Sequence, residues 1–217
     1  MKYKTLLFDL DGTLLDTITD LAAALNHALS LFGYPTYTEE ATLRMVGNGV
    51  GVLVARALPG GEENPDYVRV FSAFRTYYEA HKADTTAPYD GILPMLSSLV
   101  AAGCSVGIVS NKLDAAVREL AARFFPDTVR VAIGESKTVA RKPAPDTVFA
   151  ALSALGATAE GAAFIGDSEV DIATARNAGL PCLSVGWGFR TPEELRAAGA
   201  TAVYMTPREL TEYLLAE

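Results

Sequence analysis

The chain has 217 residues, of which 50% are hydrophobic and 20% are charged, and its formal net charge is −8. Such a chain can bury a large core as one domain, or as one domain carrying an insertion. The negative charge argues against nucleic acid as a partner, because phosphate backbones require a basic surface. The two cysteines, Cys104 and Cys182, lie in apolar runs without metal-ligand spacing, so buried thiols are expected rather than a disulfide or a zinc site.

No membrane or export segment is expected. The first apolar run stops at Asp9 after only a few residues, which is too short for the core of a signal peptide. No apolar stretch is long enough to cross a bilayer. We therefore expect a cytoplasmic protein without a membrane partner.

An unbroken apolar run from Thr5 to Phe8 predicts a buried first strand. Asp9 and Asp11 follow at the end of this strand, and Gly12 interrupts it. Residues two apart on an extended backbone point to the same side, so the two carboxylates start side by side. Open α/β sheets bind ligands at the carboxyl ends of their strands. An isolated Asp-x-Asp is more often a plain strand-to-turn junction, so the rest of the chain must decide.

Residues 16–82 carry only helical patterns, with apolar side chains recurring at helical spacing between glycine and proline breaks. The predicted features, in chain order, are a cap at Thr17 with Asp20, a helix from Thr38 to Gly47, a turn at residues 46–49 and a cap at Asn64. No strand is predicted in this block. It is therefore expected to be a helical insertion after the first strand.

Beyond residue 82, predicted strands alternate with predicted helices. The strands are expected at residues 106–109, 129–133, 162–165, 182–185 and 202–204. This alternation predicts an α/β fold with a doubly wound parallel sheet. The predicted domains are thus an α/β core of residues 1–15 and 83–217 and a small all-helical cap of residues 16–82.

Polar side chains recur at the ends of the predicted strands. They are Asp9 and Asp11, then Ser110-Asn111-Lys112, then Lys142 before a helix, and finally Asp167 and Asp171. The carboxyl ends of parallel strands meet at one edge of the sheet, so these side chains are expected to share a pocket. Carboxylate oxygens suit Mg²⁺, while a hydroxyl and a lysine suit phosphate oxygens. The set predicts phosphoryl transfer by positioning and charge stabilisation.

These residues make the chain resemble the haloacid dehalogenase superfamily, in its phosphatase branch. The four superfamily motifs occur in order as Asp9-x-Asp11-Gly12-Thr13, Ser110, Lys142 and Gly166-Asp167-x-x-x-Asp171. The likeness extends over essentially the whole chain, including a helical cap after the first motif. Together the four motifs are specific, although each alone is weak.

The resemblance implies a role for each motif residue. Asp9 would be the nucleophile and form an aspartyl-phosphate. Asp11 would protonate the leaving oxygen and then activate the hydrolytic water. Ser110 would hold the transferring phosphoryl group, and Lys142 would offset its charge. Asp167, with the Asp9 carboxylate and the Asp11 backbone carbonyl, would bind Mg²⁺.

Further residues have supporting roles under the same resemblance. Asp171 fits a place behind the metal ligands, because one helical turn separates it from Asp167. Gly12, Thr13 and Asn111 are candidate substrate contacts. Taken singly, Ser110 is more often a helix cap, Lys142 a solvated charge and Asp171 a residue that favours a helix N-terminus electrostatically.

Two segments resemble phosphoglycolate phosphatases within the superfamily. The first is the loop at residues 46–49, where backbone amides near Asn48 and Gly49 would meet a small carboxylate. The second is the segment at residues 185–190. The alternative for residues 46–49 is a plain helix–helix turn. The alternative for residues 185–190 is that Trp187 simply packs against the core. Ser110 stands where that family commonly has threonine, which preserves the hydroxyl.

Other functions stay open at this point. A β-phosphoglucomutase-like sugar phosphomutase shares every core motif, and pyrophosphate or another small phosphorylated metabolite could be the substrate. A dehalogenase would not need Asp11, and a phosphonate-cleaving relative would need a cap lysine, where only Lys82 occurs at the return hinge. A phospho-accepting regulatory domain is the non-enzyme alternative. The chain could be a monomer or a homodimer.

Overall fold

The computed structural model describes residues 2–216. They divide into two compact units, an α/β unit of residues 2–15 and 88–216 and a helical unit of residues 16–87. Among the residues described, no helix combines the length and hydropathy needed to cross a bilayer.

The α/β unit is built on a parallel sheet. The strands in chain order are β1 (Thr5–Phe8), β2 (Leu15–Asp16), β3 (Ala87–Pro88), β4 (Ser105–Leu113), β5 (Val131–Glu135), β6 (Ala162–Gly166), β7 (Cys182–Val185) and β8 (Val203–Tyr204). Six of them form one sheet in the order β5-β4-β1-β6-β7-β8, and β2 and β3 form a separate two-stranded sheet. The neighbours in the large sheet are parallel, which confirms the predicted fold class.

Helices separate most of these strands. They are α1 (Ile18–Leu31), α2 (Glu39–Leu43), α3 (Val50–Ala57), α4 (Tyr67–His81), α5 (Ile92–Ala101), α6 (Asp114–Phe124), α7 (Asp146–Leu155), α8 (Glu169–Ala178), α9 (Pro192–Ala197) and α10 (Pro207–Leu215), with a 3₁₀ turn at Gly61–Glu63. The first four and the 3₁₀ turn belong to the helical unit.

Strand β1 lies at the centre of the large sheet, between β4 and β6. Phe8 pairs with Ile108 on one side and Ile165 on the other. The chain runs outward from β1 through β4 to β5 and then returns to β6 on the other side of β1. Ligands bind in open α/β sheets at such a reversal of strand order. The residues after Phe8 therefore begin at the centre of the binding edge.

Two predicted strands differ by more than one residue from those observed. Strand β4 continues through Ser110, Asn111 and Lys112, where its pairing register with β5 shifts. A strand irregularity of this kind redirects side chains near functional sites. Strand β5 begins two residues later than predicted, because the Val129 backbone N–H donates to the Phe125 carbonyl in the turn after α6.

The predicted caps in the helical unit were wrong in detail. The Thr17 side chain does not cap α1, and Asp20 accepts hydrogen bonds from Thr85 and Thr86 instead. These N–H and O–H donors stabilise the Asp20 carboxylate more than a single hydrogen bond in a local cap would. Asn64 accepts from the Asp66 N–H in a turn before α4, rather than capping that helix.

The predicted helix from Thr38 to Gly47 is shorter in the structure. The helix begins next to Thr38 as expected, and the Thr38 side chain caps it by accepting from the Ala41 N–H, but the helix ends at Leu43. The return boundary of the helical unit lies at Ala87, beyond the expected residue 82.

Candidate active site

Asp9 lies at the edge of the sheet directly after β1. Its backbone N–H donates to the Ile165 carbonyl, at 2.8 Å, which fixes the residue to β6. Its carboxylate oxygen Oδ1 accepts from the Leu10 N–H at 2.7 Å and lies 2.8 Å from Lys142 Nζ. The side chain is 12% exposed. Asp9 is thus held in one orientation, yet a small ligand can still reach it.

Lys142 is buried between two carboxylates. Its ammonium lies 2.7 Å from Asp171 Oδ1 in addition to its contact with Asp9. Burial lowers the pKa of Lys142, but the charges of Asp171 and Asp9 outweigh that effect and raise it. Lys142 is therefore a fixed positive charge next to Asp9.

Asp171 is held by contacts to both of its oxygens. While Oδ1 faces Lys142, Oδ2 accepts from the Ser168 hydroxyl at 2.6 Å and from the Ser168 backbone N–H at 3.1 Å. Ser168 and Asp171 form a capping box at the start of α8. These contacts fit a carboxylate that orients Lys142. They support the predicted supporting role of Asp171, which stays a prediction.

Asp167 follows β6 and is 2% exposed. Its Oδ1 accepts from the Thr13 hydroxyl and its Oδ2 accepts from the Phe189 backbone N–H, both at 2.8 Å. Burial raises the pKa of Asp167 to about 7, and the Asp171 charge adds to this. Burial likewise raises the pKa of Asp9 well above its ordinary value, although Lys142 opposes the rise.

The carboxylates form a cluster that fits a divalent cation. One oxygen each from Asp9, Asp167 and Asp171 lie within 4.8 Å of one another. Together with Asp11 there are four carboxylates, against the two ammonium groups of Lys112 and Lys142. Like charges at close range disfavour ionisation of the carboxylates, and an ion of charge +2 would balance the excess. Oxygen donors suit Mg²⁺ in particular.

The irregular end of β4 brings three polar residues to the same edge. Lys112 Nζ lies 2.8 and 2.9 Å from the two carboxylate oxygens of Asp11. Asn111 donates from Nδ2 to the Lys142 carbonyl at 3.0 Å. Ser110 is 1% exposed, and its hydroxyl accepts from the Lys112 N–H at 3.3 Å. The sequence predicted these residues as a group but did not predict the Lys112–Asp11 ion pair.

The family is identified by comparison with known proteins. The sequence profile of the haloacid dehalogenase-like hydrolases matches residues 6–185 of this chain. The chain belongs to the haloacid dehalogenase-like hydrolases. This confirms the resemblance drawn from the four motifs.

Individual relatives of this haloacid dehalogenase-like hydrolase are phosphatases. The phosphoglycolate phosphatase of Rhodospirillum rubrum is 33% identical over 219 residues, which cover 97% of this chain and 90% of the relative. The N-acetylmuramic acid 6-phosphate phosphatase of Pseudomonas aeruginosa is 32% identical over 216 residues, which cover 99% and 96%. The crystal structure of a candidate phosphoglycolate phosphatase from Lactobacillus delbrueckii subsp. bulgaricus matches with a TM-score of 0.96 and 36% identity over the full length of both chains. The chain is a phosphatase of this family.

The structure places the predicted substrate contacts of this hydrolase in two different regions. Gly12, with a φ of +84°, packs so closely that a Cβ would overlap the Asp167 carboxylate. Thr13 is fully buried with its hydroxyl on Asp167, so its observed contact is with a candidate metal ligand. Asn48 and Gly49 lie in the helical unit, where Gly49 precedes α3. Their contact with a substrate stays a prediction.

Two contacts in this hydrolase were not predicted from the sequence. The backbone N–H of Phe189 binds Asp167, and the indole of Trp187 donates to the Thr13 carbonyl at 2.9 Å. A backbone donor has no residue-type signature. The available signal was Gly188, because glycine marks close backbone approach.

Proposed function

We propose that this phosphatase hydrolyses a small phosphate monoester with Mg²⁺, through transfer of the phosphoryl group to Asp9, and that 2-phosphoglycolate is its substrate. The observation that carries the proposal is the position of the Asp9 carboxylate. It follows the central strand, it is partly accessible, and it lies 2.8 Å from the buried ammonium of Lys142. Asp167 completes a set of charges that suits a phosphate group and a cation.

The metal would be held by the carboxylates of Asp9 and Asp167 and by the backbone carbonyl of Asp11. Burial raises the pKa of Asp9 and that of Asp167. A bound cation would favour the ionised form of both carboxylates and so offset this effect of burial. When bound, Mg²⁺ would withdraw charge from the phosphoryl oxygens and screen the Asp9 carboxylate from them.

The first step forms a covalent bond to the protein. A carboxylate oxygen of Asp9 attacks phosphorus while the bond from phosphorus to the ester oxygen breaks. Asp11 enters this step in its protonated form and donates that proton to the departing oxygen, so an alcohol leaves. Lys142 offsets charge on the transferring group, and the Ser110 hydroxyl holds one of its oxygens.

The second step returns Asp9 to its starting form. Asp11, now a carboxylate, takes a proton from a water molecule that attacks the phosphorus of the aspartyl-phosphate. The bond between phosphorus and Asp9 breaks, and inorganic phosphate leaves. Lys112, which contacts both oxygens of Asp11, would hold this side chain in place as an acid in the first step and as a carboxylate in the second.

Two substrates have support. The phosphoglycolate phosphatase of Rhodospirillum rubrum and the loop at residues 46–49 favour 2-phosphoglycolate, because amides at the start of α3 suit a small carboxylate. The phosphatase of Pseudomonas aeruginosa is similar to an equal degree and favours a sugar 6-phosphate. Because the alignment covers 96% of that relative, N-acetylmuramic acid 6-phosphate is the second candidate substrate.

The test is phosphate release with Mg²⁺ from both candidates, other sugar phosphates and pyrophosphate. We expect the highest kcat/KM for 2-phosphoglycolate and no release after chelation. Asp9→Asn should lower activity on the order of 10³-fold or more, because it removes the nucleophile. Asp127→Asn makes the same change at an exposed position and should leave activity unaltered.

Other outcomes would contradict parts of this proposal. A higher kcat/KM for N-acetylmuramic acid 6-phosphate would reassign the substrate and retain the nucleophile. Interconversion of sugar phosphates without phosphate release would indicate a phosphomutase. Labelled phosphate that stays on the protein for minutes would favour a phospho-accepting regulatory domain. Full activity of Asp9→Asn would exclude Asp9 as the nucleophile.

A further inference from the structure

The segment that follows β7, residues 186–190, approaches Asp167 closely; we name it the tryptophan loop. Its Phe189 N–H donates to Asp167 Oδ2 at 2.8 Å, while the Thr13 hydroxyl donates to Oδ1 at the same distance. With one donor on each oxygen, rotation of the carboxylate about its Cβ–Cγ bond is opposed from both sides. The loop and the Thr13 turn together set the direction of the Asp167 lone pairs.

The backbone of the tryptophan loop lies against the turn after β1. A Cβ on Gly188 would overlap the Gly12 carbonyl oxygen and the Cβ of Asp167. A Cβ on Gly12 would come within 2.9 Å of the Phe189 ring and would also overlap Asp167. Only glycine at these positions allows the loop to reach Asp167 with its backbone.

Side-chain contacts anchor the loop near both of its ends. The Trp187 indole N–H donates to the Thr13 carbonyl at 2.9 Å. Arg190 Nε lies 3.0 Å from Glu169 Oε2 at the start of α8. Trp187 thus connects the loop to the same residue whose hydroxyl binds Asp167, and Arg190 connects it to the helix that follows Asp167.

We propose that the tryptophan loop is a positioning element for the metal site, which holds Asp167 in the orientation that presents its carboxylate to Mg²⁺. The proposal rests on the metal dependence proposed above. Groups that orient a metal ligand through hydrogen bonds commonly change metal affinity about 10–100-fold when they are removed. The function of the loop is therefore visible in Mg²⁺ affinity rather than in the chemistry of Asp9.

The test compares Trp187→Phe with Tyr37→Phe. Trp187→Phe removes an indole N–H that binds a backbone carbonyl and retains an aromatic ring. Tyr37→Phe removes a hydroxyl that binds the Ala57 carbonyl at 3.0 Å in the helical unit. Gly188→Ala is the stronger perturbation, since it forces the loop away from Asp167. Calorimetry measures Mg²⁺ binding to each protein without substrate, and thermal unfolding in chelator verifies the fold.

We expect Trp187→Phe to weaken Mg²⁺ binding about 10-fold and Gly188→Ala more, whereas Tyr37→Phe should stay within twofold of wild type. Phosphate release by Trp187→Phe should return to near the wild-type rate at saturating Mg²⁺. Wild-type affinity in a folded Trp187→Phe protein would overturn the loop proposal alone. Absence of Mg²⁺ binding by the wild-type protein would overturn the metal assignment, and the loop proposal with it.

Discussion

The Lys112 ammonium contacts both carboxylate oxygens of Asp11, at 2.8 Å from Oδ1 and 2.9 Å from Oδ2. The lysine side chain is 4% exposed and that of Asp11 17%, so water competes little for this ion pair. An ammonium that faces both oxygens fixes the plane of the carboxylate. The irregular end of β4 thus controls the direction of the proposed proton donor of the first motif.

Replacing Lys112 by methionine should impair proton donation more than phosphoryl transfer itself. We expect kcat/KM for an alkyl phosphate to fall on the order of 10²-fold, the lower range for loss of an aligned acid. The loss should be smaller for p-nitrophenyl phosphate, because nitrophenolate leaves without a proton. Lys137→Met, an equivalent change at an exposed position, is the control. Equal losses on both esters would mean that Lys112 does not act through Asp11.

Asp171→Ala should destabilise the α/β unit. It leaves the buried Lys142 with one carboxylate partner fewer and removes the capping box of α8. Breaking a buried ion pair from one side costs about 3–5 kcal/mol in free energy of unfolding. Urea unfolding measures this difference. Asp146→Ala, at an exposed position in the first turn of α7, should have little effect, and a similarly small effect of Asp171→Ala would contradict the role of that residue.

Asp20 should stabilise the helical unit at neutral pH but not in acid. Burial raises its pKa, but hydrogen bonds from Thr85 and Thr86 outweigh burial and lower the pKa below its ordinary value. A lowered folded-state pKa means that the stabilisation is complete above the ordinary pKa, about 3.9, and is lost as the pH falls through the folded-state value.

Asp20→Asn tests this pH dependence. At pH 7 we expect a loss of about 2–3 kcal/mol in free energy of unfolding, typical of losing charge-assisted hydrogen bonds. The difference from wild type should shrink below about pH 4. Urea unfolding at pH 7 and pH 3 gives both values, with Glu62→Gln as a control at an exposed acidic residue. A difference that grows in acid would contradict the inference that folding lowers the pKa of Asp20.

Addition of Mg²⁺ should stabilise the protein against heat. A ligand that binds only the folded state at 100 times its dissociation constant contributes about 2.7 kcal/mol. We expect an upward shift in Tm with Mg²⁺ that is absent in Asp167→Asn and present in Asp127→Asn. NaCl at equal ionic strength separates binding from charge screening. An undiminished shift in Asp167→Asn would exclude Asp167 as a metal ligand.

The sequence by itself determined the fold class and the set of candidate site residues. Alternating strands and helices are local patterns, and polar residues at strand ends are visible in the order of the chain. Asp9 and Asp11 follow a short apolar strand whose predicted burial is confirmed, and the structure places that strand at the centre of the parallel sheet. The family could be identified from motifs because each motif is itself a short, contiguous segment.

Only the tertiary structure decided which of these groups meet. Lys112 and Asp11 are 101 residues apart, and Thr13 and Asp167 are 154 residues apart. Such pairs depend on strand order and on the irregularity of β4, and neither has a local sequence signal. Asp20 illustrates the same limit, because the sequence predicted a local cap while the folded chain supplied better donors 65 and 66 residues away. A buried carboxylate binds whichever donors lower its free energy most, and those donors exist only once the chain has folded.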